Sequence, residues 1–134
     1  LLEDITPYIG VLDVESHDAL LPLECYLSTL HKLASLRVDE VYPGHGEAFQ
    51  DIERRISDIL RHHEERKAKV LACLKGRKGT PYEISLRLFG SLPAHEVLLG
   101  LTEALSHLQI LEKEGKVQRE WRDDKIIYTN SKKQ

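Results

Sequence analysis

The chain has 134 residues, 41% apolar and 31% charged, which fits one ordinary globular domain, or a small domain plus part of another. Its formal net charge of -3 gives no reason to expect nucleic acid or anionic membrane as a partner. No apolar run reaches the roughly 18 residues that a membrane span needs.

The charge is divided unevenly. Residues 1–50 hold two basic residues, Lys32 and Arg37, against nine acidic ones, whereas from Asp51 onward basic residues lead 17 to 13. The two parts are therefore expected to differ in kind. Cys25 and Cys73 lie far apart inside apolar helical patterns. They read as buried free thiols rather than a disulfide, which points to a reducing, cytoplasmic location. The chain begins at Leu1 and contains no Met, so it reads as a piece of a longer protein.

Residues 1–20 show no period; "YIGVLDV" is a short strand or a loop broken by Pro7 and Gly10. From Leu20, the spacing of Leu23, Leu27, Leu30 and Ala34 predicts a helix, with Asp18 as a candidate cap and Pro22 in the first turn. "EVY" reads as a short strand ending at Pro43. Residues 51–75 form one long helical pattern with Ile52, Ile56, Ile59, Leu60, Val70, Leu71 and Leu74 on the buried stripe and Gly76 as its stop. "GRKGT" reads as a loop. Thr80, Pro81 and Glu83 have the pattern of a capping box and open a short helix that runs to about Phe89. A third helix is expected from about Pro93 to Glu114, with Val97, Leu101, Leu105, Leu108 and Leu111 inward. "KVQREW" and "KIIYT" around "RDD" read as a β-hairpin, with Trp121 as a core or seam aromatic. Helix, short helix, helix, hairpin is the order of a winged helix-turn-helix. The front of the third helix, "PAHEVLLGLTEAL", has no basic residue, so sequence-specific DNA binding is not expected of it. A packing or dimerisation module is the preferred reading.

One loop stands apart. In "DEVYPGHGEAFQ", His45 sits between Gly44 and Gly46 just after Pro43. This is either a tight turn with an incidental histidine or a turn that aims an imidazole. Glycine permits a tight turn and close approach to a ligand, and neutral imidazole suits transition metals. One ligand is not a site, however, and a catalytic zinc takes about three protein ligands plus water. None of the seven histidines forms an HxH, HxxxH or HExxH pair. His62 and His63 are adjacent and point about 100° apart on a helix. His63 lies on the buried stripe and shares its face with Arg66 three residues on. His17, His31, His62, His95 and His107 read as surface or satisfied residues.

"PLECYLSTLHKL" followed by "DEVYPGHGEAF" resembles the last segment of the metallo-β-lactamase superfamily. The continuation through "LRHHEERKAKVLACL", "TPYEISLRLFG", "TEALSHLQILEKEGKVQRE" and "IIYT" resembles the branch with a C-terminal winged-helix domain. The resemblance covers essentially the whole chain. It implies an α+β, mostly helical chain, in which residues 1–50 are the last, incomplete part of an αββα catalytic sandwich. Residues 51–134 would be a linking helix plus a winged-helix domain. It implies a parent hydrolase with two metal ions, usually zinc, which activate a water to attack a small-molecule ester, thioester, amide or phosphodiester. His45 would be the final ligand, on the second metal, with Pro43, Gly44 and Gly46 shaping its loop. The family's HxHxDH loop, middle His and bridging Asp are absent, and neither Asp4 nor Asp13 stands in the Gly-Asp context of the bridging residue. The chain is thus expected to begin just downstream of that residue and to be inactive alone. The missing N-terminal catalytic portion would be its main partner, and homo-oligomerisation is open. Residues 1–50 are expected to be poorly ordered, rearranged onto the second module, or paired with another copy. The same branch carries a His and an Arg in the long helix. His63 and Arg66 then either contact an anionic substrate at the active-site mouth or stitch the helix to the hydrolase domain. The rival reading is a winged-helix DNA- or protein-binding module with an incidental PGHG loop.

Overall fold

The computed structural model describes residues 21–131, in the order α1 (Pro22–Ala34), α2 (Ile52–Cys73), β1 (Lys78–Gly79), α3 (Pro81–Phe89), α4 (Val97–Lys113), β2 (Val117–Arg122) and β3 (Lys125–Asn130). The strand or loop expected at "YIGVLDV", and Asp4, Asp13, His17 and Asp18, lie outside the described residues.

The helix α1 opens with Pro22 in its first turn and buries Leu23 and Leu30 seven residues apart, on one face. Its N-cap is Leu21, which makes no side-chain cap bond. The long helix α2 spans about 33 Å at 1.5 Å per residue. Asp51 caps it by accepting from the Arg54 N–H at 3.1 Å, in a left-handed backbone conformation (φ 60°) that short polar side chains tolerate.

Two separate apolar clusters share α2. Its first half sets Ile52, Ile56 and Ile59 against Leu30, Leu27 and Leu33 of α1, with Val38 and Val41 beyond. Its second half sets Val70 and Leu74 against Ile84, Leu105, Leu108, Leu111, Val117 and Tyr128. Between them the buried face of α2 turns polar, at His63 and Lys67.

Helix α3 begins at the expected capping box. Thr80 Oγ1 accepts from Glu83 N–H, and the Glu83 carboxylate accepts from Thr80 N–H at 2.8 Å. Helix α4 starts at Val97 rather than Pro93, because a turn closed by Glu96 N–H on Pro93 C=O precedes it. It is buried nearly all round from Ala104 to Leu111, not only along one stripe, since α1, α2, α3 and β2 all contact it. It crosses α3 closely at Gly100, where a Cβ would lie 2.5 Å from Leu92 and 2.9 Å from Ser85 Oγ.

The three strands form an antiparallel sheet in the order β1-β3-β2, with Gly79 opposite Tyr128 and Arg119 opposite Tyr128 on the other side. The expected hairpin is present, turning at Asp123–Asp124. Strand β1 falls in "GRKGT", which reads as loop in the sequence. It is held there by Arg87, whose guanidinium donates to Cys73 C=O and Lys78 C=O. Of the two positions expected for Trp121, core or seam, the core is excluded: it is 61% exposed, because β2 runs past the end of the core beyond Arg119. Cys25 and Cys73 are both free thiols, half-buried rather than buried. Among the described residues no helix is long and apolar enough to cross a membrane.

Candidate functional site

The segment "EVY" forms a single bridge instead of a strand. Val41 and Phe49 exchange both backbone bonds, at 2.8 and 3.1 Å, and close a loop over residues 42–48. His45 is exposed at its tip. Gly46 has φ 87°, which a side chain with Cβ tolerates poorly, so this position calls for glycine. Gly44 makes no such demand; a Cβ there would meet open space. Pro43 is half-buried at the base of the loop. Two large apolar side chains stand in solvent nearby in sequence, Leu36 at 54% and Tyr42 at 78% exposure.

No group of three or more His, Cys, Asp or Glu that could hold a metal occurs among the described residues. His45 is a single donor. The described residues therefore do not make a metal centre, and no chemical step is assigned to one on this chain.

His63 and Arg66 lie elsewhere, in the polar layer between the two apolar clusters. His63 is 2% exposed and His107 of α4 is fully buried. Their rings stack at 5.2 Å with an interplanar angle of 25°, and His63 Nδ1 lies 3.0 Å from His107 Nε2. His107 Nδ1 is 2.7 Å from the Glu103 carbonyl, which can only accept. That assigns the protons: His107 Nδ1–H donates to Glu103 C=O, and His63 Nδ1–H donates to His107 Nε2. His63 Nε2 then carries a buried lone pair with no partner among the described residues. Burial, with the nearby His107, His62, Arg66 and Lys67, lowers the His63 pKa to about 4. Burial also lowers that of His107, against the Glu103 hydrogen bond and charge.

The Arg66 guanidinium lies 4.8 Å from the Phe89 ring centroid. Its Nε is 3.3 Å from Glu103 Oε1, an ion pair by distance without hydrogen-bond alignment. One turn beyond His63, Lys67 Nζ bridges Glu114 (2.7 Å) and Glu64 (2.8 Å). Burial pulls the Lys67 pKa down, but the two carboxylates outweigh it and the net shift is upward. This layer ties α2 to α4 and α3. Tyr26 of α1 meets it edge-on, 6.1 Å from the His63 ring. His63 and Arg66 are thus brought together with each other but not with His45. His107, Glu103, Lys67 and Glu114 are the members of the layer that the sequence pattern did not single out. A groove of about 480 Å³ opens beside it between α1, α2 and α4. Its cations are matched by carboxylates, Lys67 as above and Lys113 by Glu24 at 2.7 Å.

No protein-family model matches the chain. Over 92% of its length it matches a β-lactamase domain protein from Burkholderia ambifaria, with a TM-score of 0.80 and 30% identity, across 37% of that chain. A metallo-β-lactamase family protein from Thermus thermophilus matches 97% of it, with a TM-score of 0.78 and 31% identity, across 39% of that chain. Its homologues are metallo-hydrolase and β-lactamase-like proteins, and its structural neighbours are metallo-β-lactamase domains. Among curated sequences of this kind, "Probable metallo-hydrolase YqjP" of Bacillus subtilis (strain 168) is 26% identical over 112 residues, covering 84% of the chain. The chain spans about a third of the length of the curated relatives it matches.

Proposed function

We propose that this chain is the C-terminal third of a metal-dependent hydrolase, in which His45 is one ligand of a zinc centre completed by residues upstream. The observation that carries the reading is the match to a β-lactamase domain protein over 92% of the chain at 30% identity. The position of His45 supports it: an exposed imidazole on a bridged loop, beside a glycine with positive φ, and outside any group of three or more donors among the described residues. In the parent, bound metal supplies Lewis acidity and an activated water. This chain contributes one donor and the loop that presents it, and is inactive alone. The substrate of the parent is a small-molecule ester, thioester or phosphodiester.

The strand order β1-β3-β2 behind α2, α3 and α4 supports reading residues 51–134 as a linking helix plus a winged helix. Its role is packing. The start of α4 exposes Leu98 and Leu99 and offers no Lys or Arg until Lys113, which already pairs with Glu24. His63 and Arg66 hold α2 to α4 in this reading and do not contact substrate. The test is hydrolysis of a thioester and phosphodiester panel by the longer protein, with and without chelator. Chelator-sensitive turnover that His45→Ala abolishes is the expected result. Turnover indifferent to both treatments would sink the reading.

A further inference from the structure

Strand β2 ends the sheet, so its outer edge has no strand partner among the described residues. The hairpin turn shows which backbone groups face that edge. Asp123 and Asp124 both have positive φ (49° and 57°), the signature of a two-residue type I′ turn between Arg122 and Lys125. Residues flanking such a turn exchange both backbone bonds, so Arg122 and Glu120 direct theirs to Lys125 and Ile127. The bond from Ser131 N–H to Lys116 C=O keeps the same alternation. Trp121, between Glu120 and Arg122, therefore aims its N–H and C=O outward. Its indole is also 61% exposed, on the same strand. Outward backbone groups beside a large exposed aromatic are a template for an incoming strand.

Charge selects which strand. A strand pairing antiparallel with its own copy is related to it by a two-fold axis through the sheet, so each register centres on one residue. Centring on Glu120 or Arg122 puts like charges face to face. Centring on Trp121 puts the two indoles opposite each other and sets Glu120 of each copy against Arg122 of the other. Both charged side chains are available, at 51% and 54% exposure, and within one copy they reach each other only at 3.7 Å.

We infer that the outer edge of β2 is a self-association surface, on which two copies pair antiparallel about Trp121 with reciprocal Glu120–Arg122 contacts. Two three-stranded sheets become one continuous sheet. This inference does not depend on the hydrolase reading.

The test is sedimentation of the full chain over a wide concentration range, together with the emission of Trp121, its single tryptophan. The wild type is expected to dimerise reversibly, with a blue shift of emission as the dimer fills. Arg122→Glu sets carboxylates opposite each other at two places and should weaken dimerisation roughly tenfold. The double variant Glu120→Arg/Arg122→Glu restores opposite charges and should recover most of the loss. Far-UV circular dichroism checks that each variant is folded. A chain that stays monomeric with invariant emission would overturn the inference. So would a dimer indifferent to Arg122→Glu, or a folded double variant that recovers nothing.

Discussion

Acidification should weaken this protein through its buried histidine pair before its carboxylates titrate. His63 and His107 sit neutral and stacked between α2 and α4. Around them are Tyr26 from α1, His62, Arg66 and Lys67 from α2, and Glu103 from α4. Both pKa values are depressed in the folded chain, so the stability they contribute is fully present above the ordinary histidine value near 6.5. Below it the unfolded chain takes up protons that the folded chain refuses. Each histidine then costs about 1.4 kcal/mol per pH unit. For His63, whose folded value is about 4, the loss between about pH 6.5 and 5 is roughly 2 kcal/mol, and His107 adds in the same direction. Glu83 and Glu114 are held below the usual carboxylate range, so their contributions fail only at lower pH. Urea unfolding followed by circular dichroism across that interval measures the slope. The double variant His63→Leu/His107→Leu removes both imidazoles without leaving one orphaned, and its stability should be nearly flat over the same interval. A flat wild type, or a double variant with the wild-type slope, would refute the reasoning.

Gly100→Ala should lower the melting temperature, at a cost of about 1–3 kcal/mol, because its methyl would meet Leu92 and Ser85 at the α3–α4 crossing. Thr80→Ala removes the cap of α3 and should cost about 1 kcal/mol in chemical denaturation, with Thr80→Ser retaining most of it. At the bridging lysine the order of effects is the prediction. Glu114→Ala leaves the nearly buried Lys67 ammonium with Glu64 alone and should cost about 1–3 kcal/mol. Lys67→Met removes that ammonium, Glu114 keeps Lys116 at 2.6 Å, and the change should stay within about 1 kcal/mol. Equal losses in the two variants would contradict it.

What could be read from the sequence was what is decided locally. The capping box at Thr80–Glu83 needs four residues, and α3 begins where it predicts and ends at Phe89 as expected. The buried stripe of α2 is written in the spacing of Ile52, Ile56 and Ile59, and His63 falls on it. What escaped depends on distant chain. Strand β1 has no apolar alternation and exists because Arg87 and the edge of β3 hold Lys78 and Gly79. His107 shows only as a position in a helical pattern, and its bond to His63 spans 44 residues. Trp121 reads as a core or seam aromatic, and nothing local says that β2 outruns the core and leaves the indole exposed. The PGHG loop is the mixed case. Its turn at Gly46 follows from the motif, while no group of donors that could hold a metal with His45 occurs among the described residues.

The most direct test of the central claim is the metal content of the longer protein that carries this chain, measured by mass spectrometry for wild type and His45→Ala. Bound zinc is expected in the wild type and loss of a large share of it in the variant, with no tight zinc on the 134-residue chain alone. Undiminished metal after His45→Ala, or tight stoichiometric zinc on the isolated chain, would contradict it.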